Sequence, residues 1–211
     1  MGLFKRVFGG GDKESDKKVE QEIDRIKSGE IHKIYPILKP GDWVGLRAGC
    51  VRQTLFGNPE APKLVVGFGY DAPDNFIFLT HDDLETKDPN AILAEAYENL
   101  ENYPSEFETT ETPNGQILTA SGKDFSAEKI LCASHMLKAH ELLKTNELLV
   151  SIPRRRCMMV ISKQAGQELQ DTFHHLHNVT WNDDSYGNAP ILNALYVVVN
   201  GQIDGLIPLS E

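Results

Sequence analysis

The most constraining feature of this sequence is a regular succession of paired β-strand-like segments, each pair joined by turn-forming residues. The pairs begin near Leu64, Glu106, Leu148 and Ile191, about 42 residues apart. The last pair is joined by Asn200-Gly201, a dipeptide that strongly favours a two-residue hairpin turn. The spacing therefore predicts four β-hairpins, and the strongly apolar last hairpin is expected near the centre of a sheet.

Helix-forming segments follow the first three hairpins. The first helix is expected to begin with Asp88 as its N-terminal cap and Pro89 in its first turn, and to end before Pro104. Apolar spacing predicts a second helix over residues 126–144 and a third over residues 164–177. We therefore expect an α+β fold, in which successive hairpin-and-helix units form a layered, mostly antiparallel sheet packed with helices.

The N-terminal segment differs from the rest of the chain. Leu3, Phe4 and Phe8 could share one face of a short helix beside two basic residues, which favours transient contact with an anionic membrane surface or a partner groove. The alternative is a flexible head, because two helical turns are marginally stable alone. A short charged helix follows. We interpret residues 1–28 as this head and helix, and residues 29–211 as a single α+β domain.

Charge and cysteine content narrow the class of protein. The formal net charge of -10 disfavours nucleic-acid binding, which needs a surplus of basic residues. Cys50, Cys132 and Cys157 are odd in number and widely spaced, so they form neither a metal-type pair nor a disulfide framework. No apolar run approaches the roughly 20 residues of a membrane span. These features predict a cytoplasmic protein with reduced thiols.

Several short blocks, in order along residues 32–209, resemble the uncharacterised bacterial YtpQ-like family, a domain of unknown function. The blocks are Ile34–Leu38, Glu98–Leu100 with Pro104 behind it, Asp124–Leu131, Glu147–Pro153 and the closing Asn200-Gly201 hairpin. The chain lacks most of that family's N-terminal extension and carries the Phe- and Gly-containing head in its place. Because the family has no established reaction, the resemblance implies a bacterial α+β protein and transfers no catalytic residue.

A histidine cluster near the end of the third predicted helix is a candidate metal site. His174, His175 and His177 spread over roughly 160° of a regular helix, so all three cannot ligate one ion. A site would need two of them with carboxylates from nearby. The candidate ligands are His174, His177, Asp183 and Asp184, with Asp171 and His175 as an alternative pair. Adventitious binding on a solvated face is the competing interpretation.

A basic turn joins the two segments of the third hairpin. Arg154, Arg155 and Arg156 could hold a phosphate or carboxylate, because guanidinium groups bind such anions in a fork. They could equally form a solvated turn. The adjacent cations could also favour a thiolate at Cys157, although a small apolar side chain at the start of a strand is the simpler interpretation.

His140 lies on the apolar arc of the second predicted helix, where a hydrogen-bonded core histidine is more usual than a base with a shifted pKa. No dinucleotide fingerprint, phosphate loop or nucleophile elbow occurs, so we expect no cofactor. The sequence favours a non-catalytic binding or interaction protein with an unidentified protein partner. A metal-dependent or hydrolase-like enzyme using the His174–His177 region is the alternative.

Overall fold

The computed structural model describes residues 13–85, 88–186 and 189–209. In these residues there are four α-helices and ten β-strands, and the chain divides into two compact units, one ending at Leu100 and the other beginning at Glu101. Each unit has its own antiparallel sheet, which confirms the α+β class. Within the described ranges, no helix combines the length and apolar character needed to cross a membrane.

The first unit is built around one long strand. Its elements are α1 (Lys13–Lys27), β1 (Ile34–Pro40), β2 (Arg52–Asn58), β3 (Ala61–Asp71), β4 (Phe76–Phe78) and α2 (Pro89–Glu101), whose last residue opens the second unit. β1 pairs along one edge of β3, while β2 and β4 pair in succession along its other edge. β3 is therefore the central strand of this sheet, and its residues from Leu64 to Tyr70 are all buried.

The charged helix α1 is fixed to the first unit by one carboxylate. Glu22 is almost fully buried, and its two oxygens accept hydrogen bonds from the Asp74 backbone N–H at 2.8 Å and the Asn75 side-chain amide at 2.7 Å. Both donors lie in the turn between β3 and β4. A buried carboxylate needs such partners, so this contact attaches the helix to the turn.

The start of α2 is as predicted. The Asp88 carboxylate accepts a hydrogen bond from the Asn90 backbone N–H at 3.0 Å, and Pro89 is the first helical residue. Ile92, Ala96 and Leu100 then recur at four-residue intervals and are buried, so they form the apolar stripe of this helix.

The second unit carries a six-stranded sheet. Its elements are β5 (Glu108–Thr112), β6 (Gly115–Ser121), α3 (Ala133–Leu143), β7 (Glu147–Ser151), β8 (Cys157–Ser162), α4 (Gln167–Asn182), β9 (Ala194–Val199) and β10 (Gln202–Pro208). The strand order is β10-β9-β7-β8-β6-β5, and every neighbouring pair is antiparallel. The predicted hairpins β5–β6, β7–β8 and β9–β10 are all present.

Both faces of this sheet are covered. On one face, Leu169 and Phe173 of α4 pack on alternate strand residues such as Met159, Ile161 and Leu195. The residues between them point to the opposite face, because side chains alternate along a strand. Those residues are wholly buried too, among them Leu118, Met158, Val160 and Val198. Residues 128–143 make contacts with β8 and β10.

The predicted central position of the last hairpin is wrong. Among the described strands β10 lies at the edge of the sheet and pairs with β9 alone, whereas β7 and β8 occupy the middle. β9 is apolar because both faces of the sheet are covered there, which buries Ala194–Val198. The hydrophobicity of a strand therefore indicates how deeply it is buried, and not whether it lies at the centre or near the edge of the sheet.

Two predicted helix ranges also need correction. The second helix is interrupted at Cys132, whose extended backbone separates a 3₁₀ helix (Glu128–Leu131) from α3. The third predicted helix is shifted, because α4 spans Gln167–Asn182 and not residues 164–177. Apolar spacing located both helices, but spacing alone does not reveal a single non-helical residue such as Cys132.

His140 is a hydrogen-bonded structural residue, although it is half-buried and not in the core. Its Nδ1 lies 2.9 Å from the Thr145 carbonyl oxygen, and the Gly201 backbone N–H donates to Nε2 at 3.3 Å. The imidazole therefore joins the end of α3 to the β9–β10 turn. With both ring nitrogens occupied in this way, His140 acts as a link between elements.

The predicted 29–211 domain covers the second unit and the part of the first unit that follows α1, and its being a single domain stays a prediction. The predicted 1–28 segment includes α1, which Glu22 holds against the first unit.

Candidate functional site

A cleft on the second unit is the candidate site. It has a cavity volume of about 330 Å³, near the lower end of the range for small-molecule pockets. Three segments form it: the end of α2 with the chain just after it, the stretch from the end of β6 through the 3₁₀ helix, and the first turns of α3. The lining side chains include Glu101, Glu106, Lys123, Lys129, Ser134, His135 and Lys138.

Three ammonium groups give the cleft its charge. Lys123 and Lys138 are exposed, whereas the Lys129 side chain is buried and its Nζ donates to the Glu101 carbonyl oxygen at 2.9 Å. Glu101 and Glu106 are the acidic residues in the lining. Three lysines against two glutamates leave one net positive charge, which is notable in a chain whose formal net charge is -10.

His135 is the unusual residue of the cleft. It is only 6% exposed, its ring stacks on Phe107 with centroids 4.3 Å apart, and its Nε2 has no hydrogen-bond partner among the described residues. Burial lowers the pKa of His135 to about 4, with the charges of Lys129 and Lys138 acting in the same direction and Glu101 opposing them. The imidazole is therefore neutral at pH 7.

The potential nucleophiles around the cleft are not activated. Burial raises the pKa of the Cys132 thiol to about 12; nearby Lys129 opposes this, and Glu101 adds to it. At neutral pH the thiol is protonated and is a poor nucleophile. The Ser134 hydroxyl donates to the Glu101 carboxylate, and Ser134 lies in the first turn of α3. This contact fixes the carboxylate beside the positive end of the helix.

The predicted metal ligands His177 and Asp183 form hydrogen bonds with different residues and do not share a partner. His177 is wholly buried, with Nδ1 2.9 Å from Ser151 Oγ and Nε2 3.2 Å from Asn193 Oδ1. Asp183 accepts from the Ser185 backbone and hydroxyl, whose hydrogen bonds lower the pKa of its carboxyl group. His174 is half-buried and lies on the same helix as His177. In the described ranges no three histidine, cysteine or acidic side chains lie close enough together to hold a metal ion. Metal binding by the four candidate ligands stays a prediction.

The Ser151–His177 pair has the spacing of a nucleophile and its base, but its environment is that of a core. Both side chains are wholly buried, and burial lowers the pKa of His177 to about 4, with the hydrogen bond to Asn193 opposing the shift. The ring also stacks on Trp181, with an interplanar angle of 13°. The arrangement fixes α4 to β7, and the predicted enzyme using this region stays a prediction.

The three predicted anion-binding arginines do not converge. Arg154 is buried, and its guanidinium donates to the Thr180 carbonyl oxygen at 2.9 Å and the Trp181 carbonyl oxygen at 2.7 Å. It therefore satisfies the end of α4, where helix carbonyls lack partners, and it also pairs with the exposed Asp184 at 3.1 Å. This makes Arg154 a structural residue.

The other two arginines of the turn bind Asp124. Arg155 Nη2 donates to the Asp124 carbonyl oxygen at 3.3 Å, and Arg156 forms an ion pair with the Asp124 carboxylate. Anion binding by this turn stays a prediction. Cys157 is buried in the core cluster under α4, which fits its interpretation as a small apolar side chain. The predicted contact residues Leu3, Phe4 and Phe8 lie outside the described residues.

No family model, curated protein sequence or solved structure matches this chain. The resemblance to the YtpQ-like family therefore stays a prediction, and the cleft is interpreted from its own geometry.

Sequence reasoning missed the residues of the cleft, although a signal was present. His135 lies three residues after Cys132 and four before Ala139, so all three share one side of a helix at 100° per residue. Cys132 and Ala139 are both buried, and His135 is buried with them. The position of Lys123 and Lys129 beside it depends on how the chain turns between β6 and α3, which local spacing does not encode.

Proposed function

We propose that this chain is a non-catalytic binding protein and that the cleft of the second unit is its binding site. The observation that carries the proposal is the buried imidazole of His135, whose Nε2 lacks a partner in the described structure while the ring lines a cleft. A buried polar atom without a partner costs about 1–3 kcal/mol, so an imidazole left in this state in the wall of a cleft favours a ligand-binding role over a purely structural one.

Binding is favoured over catalysis by the chemistry of the lining. The thiol of Cys132 is held protonated, and the hydroxyl of Ser134 is held by Glu101. His135, with a pKa of about 4, is a weak base at neutral pH. General bases work best when their pKa lies near the operating pH, so this set suits recognition by fixed charges and hydrogen bonds.

The setting we propose is the bacterial cytoplasm, where the chain would bind a small molecule or a group carried by a protein partner. Cys50, Cys132 and Cys157 are free and buried, which suits a reducing compartment. The bacterial assignment follows the family resemblance proposed above.

The test is a ligand-observed saturation-transfer NMR screen of the full chain with four probes of different charge: benzoate, phenyl phosphate, benzylamine and benzamide. Ser105 lines the cleft, so Ser105→Trp fills it, whereas Ala91→Trp places the same bulk on an exposed position of α2. We expect at least one probe to bind the wild type and Ala91→Trp but not Ser105→Trp. Equal binding by both variants, or binding of no probe, would overturn the proposal.

A further inference from the structure

We infer that Asn114, in the β5–β6 turn, is a site of spontaneous covalent modification, in which its side-chain amide is converted to a carboxylate through a cyclic imide. The fold blocks the same conversion at Asn200, in the β9–β10 turn. The sequence contains two asparagines followed by glycine, Asn114-Gly115 and Asn200-Gly201. The two turns differ in what holds the reacting atoms, and neither turn belongs to the cleft of the proposed binding function.

The reaction needs the chain itself and water. The backbone nitrogen of Gly115 bonds to the side-chain carbon Cγ of Asn114, the bond from Cγ to the amide nitrogen breaks, and ammonia leaves with the proton that the backbone nitrogen loses. Water then opens the five-membered imide at one of its two carbonyls and leaves aspartate or isoaspartate. A following glycine favours the first step, because without a Cβ it neither shields its own nitrogen nor restricts the backbone.

The nitrogen that would react in the β9–β10 turn is held in place. Gly201 is buried, and its N–H donates to His140 Nε2 at 3.3 Å. The glycine also packs closely on α3, since a Cβ built on it would lie 2.8 Å from the Ala133 carbonyl oxygen and 2.9 Å from Leu137 Cγ. The imide forms only when the peptide after Asn200 is free to rotate, and that rotation would break the hydrogen bond and disturb this packing.

The β5–β6 turn is held more loosely. Asn114 is exposed, and a Cβ built on Gly115 would meet a terminal methyl group of the Leu169 side chain and not the main chain of a helix. The Thr112 hydroxyl accepts from the Asn114 N–H at 3.3 Å and donates to the Gly115 carbonyl oxygen at 2.7 Å. Neither of these two bonds involves the side chain of Asn114 or the nitrogen of Gly115, which are the reacting groups.

The strand beside this turn favours local opening. Among the described strands β5 lies at an edge of the sheet and pairs with β6 alone, and its residues 108–111 are exposed. Thr112 and Gly115 are the last pair of the hairpin at its turn. Exposed hydrogen bonds of this kind open at a small part of the free energy of global unfolding. The peptide after Asn114 can therefore rotate without disturbing the buried residues of β6.

The modification changes this turn in charge and in length. Either product adds one negative charge to the turn. An isoaspartate also carries the main chain through the former side-chain carboxyl group, which adds one backbone atom to the two-residue loop Pro113-Asn114. Loop length fixes the register of a hairpin, so the isoaspartate is expected to weaken the pair of Thr112 with Gly115.

The experiment compares both asparagines in one sample of the full chain. The folded protein is incubated at pH 8.5 and 37 °C, and samples taken over time are digested and analysed by mass spectrometry with fragmentation that distinguishes aspartate from isoaspartate. The chain unfolded in urea is the reference, because there both sites are free to react. We expect similar rates in urea and, in the folded protein, conversion at Asn114 about tenfold faster than at Asn200, as the retention of one hydrogen bond allows.

Two variants test the cause of the difference. His140→Phe removes the acceptor of the Gly201 N–H and is expected to speed conversion at Asn200 about two- to tenfold. The rate at Asn114 is expected to stay unchanged in that variant, which shows that its fold is retained. Asn114→Gln is expected to abolish modification at this position, because the longer side chain would have to close a less favourable six-membered ring.

Equal rates at the two sites of the folded protein, or faster conversion at Asn200, would overturn the inference. So would an unmodified Asn114 in folded samples at a time when the unfolded chain has been converted. If His140→Phe left the rate at Asn200 unchanged, the protective role of the His140 hydrogen bond would be wrong.

Discussion

His135 and His177 are both buried neutral histidines of the second unit, but their surroundings give them different roles. His177 has a partner for each ring nitrogen, Ser151 and Asn193, so its hydrogen-bonding capacity is used inside the core. His135 leaves Nε2 without a partner in the described structure and lines a cleft. A satisfied buried polar group has a structural role, whereas an unsatisfied one next to a cavity needs a partner that the described residues do not supply.

Replacing His177 with Ala is expected to destabilise the protein by about 2–5 kcal/mol, because it opens a cavity and leaves Ser151 and Asn193 without their partner. His174→Ala, at a half-buried position of the same helix, is the matched control and is expected to cost less than about 1 kcal/mol. Urea denaturation measures both free energies of unfolding. Equal costs would contradict a core role specific to His177.

At the scale of single residues, the sequence identified Arg154 and His177 as notable but assigned them to ligands. Their actual partners are main-chain carbonyls of α4 and polar side chains more than ten residues away in sequence. Such partners depend on how β7, α4 and β9 pack. The spacing of residues along the sequence indicates which side of a helix a residue occupies, but it does not indicate which element packs against that side.

Individual elements were more predictable than their arrangement. The Asp88-Pro89 start of α2 and the Asn200-Gly201 turn are local in origin, since capping and left-handed turn residues act over a few positions. Asn200 and Gly201 both have positive φ values, 51° and 76°, as this turn requires. The break at Cys132 and the edge position of β10 depend on tertiary packing, and sequence patterns did not reveal them.

The β9–β10 turn also contacts α3, which makes Gly201 sensitive to substitution. A Cβ at this position would lie 2.8 Å from the Ala133 carbonyl oxygen, and the positive φ adds strain. Gly201→Ala is therefore expected to destabilise the protein by about 2 kcal/mol or more. Gly205→Ala lies in the same hairpin with nothing within 4 Å of its Cβ, and is expected to cost less than about 1 kcal/mol.

Thermal and urea unfolding of the two glycine variants would measure this difference. If the loss of unfolding free energy in Gly201→Ala were no larger than in Gly205→Ala, the turn would not be in close contact with α3. The His140 hydrogen bond to the Gly201 N–H gives a second readout, because its ring resonances are expected to shift in Gly201→Ala and not in Gly205→Ala.

For the molecule as a whole, the two buried histidines predict a characteristic dependence of stability on pH. Both have pKa values lowered to about 4 in the folded state, chiefly by burial, from an ordinary value of 6.5. Above pH 6.5 they are neutral whether the chain is folded or unfolded. Below it the unfolded chain binds protons that the folded protein excludes, so stability falls as the pH drops from 6.5 towards 4.

Each histidine contributes a loss of up to about 1.4 kcal/mol per pH unit within that window. Urea unfolding at pH 7.5 and pH 5.5 measures the effect largely above the range in which carboxylates titrate. We expect a lower free energy of unfolding at pH 5.5. A free energy that is unchanged or higher at pH 5.5 would contradict the burial of two neutral histidines.

The proposed binding site is the cleft beside α3, and hydrogen–deuterium exchange of the full chain, with and without a probe that binds in the screen, locates the bound probe. We expect added protection in residues 101–107 and 133–138, with the first unit unchanged. Protection confined to other segments, or none in these two, would show that the cleft is not the binding site.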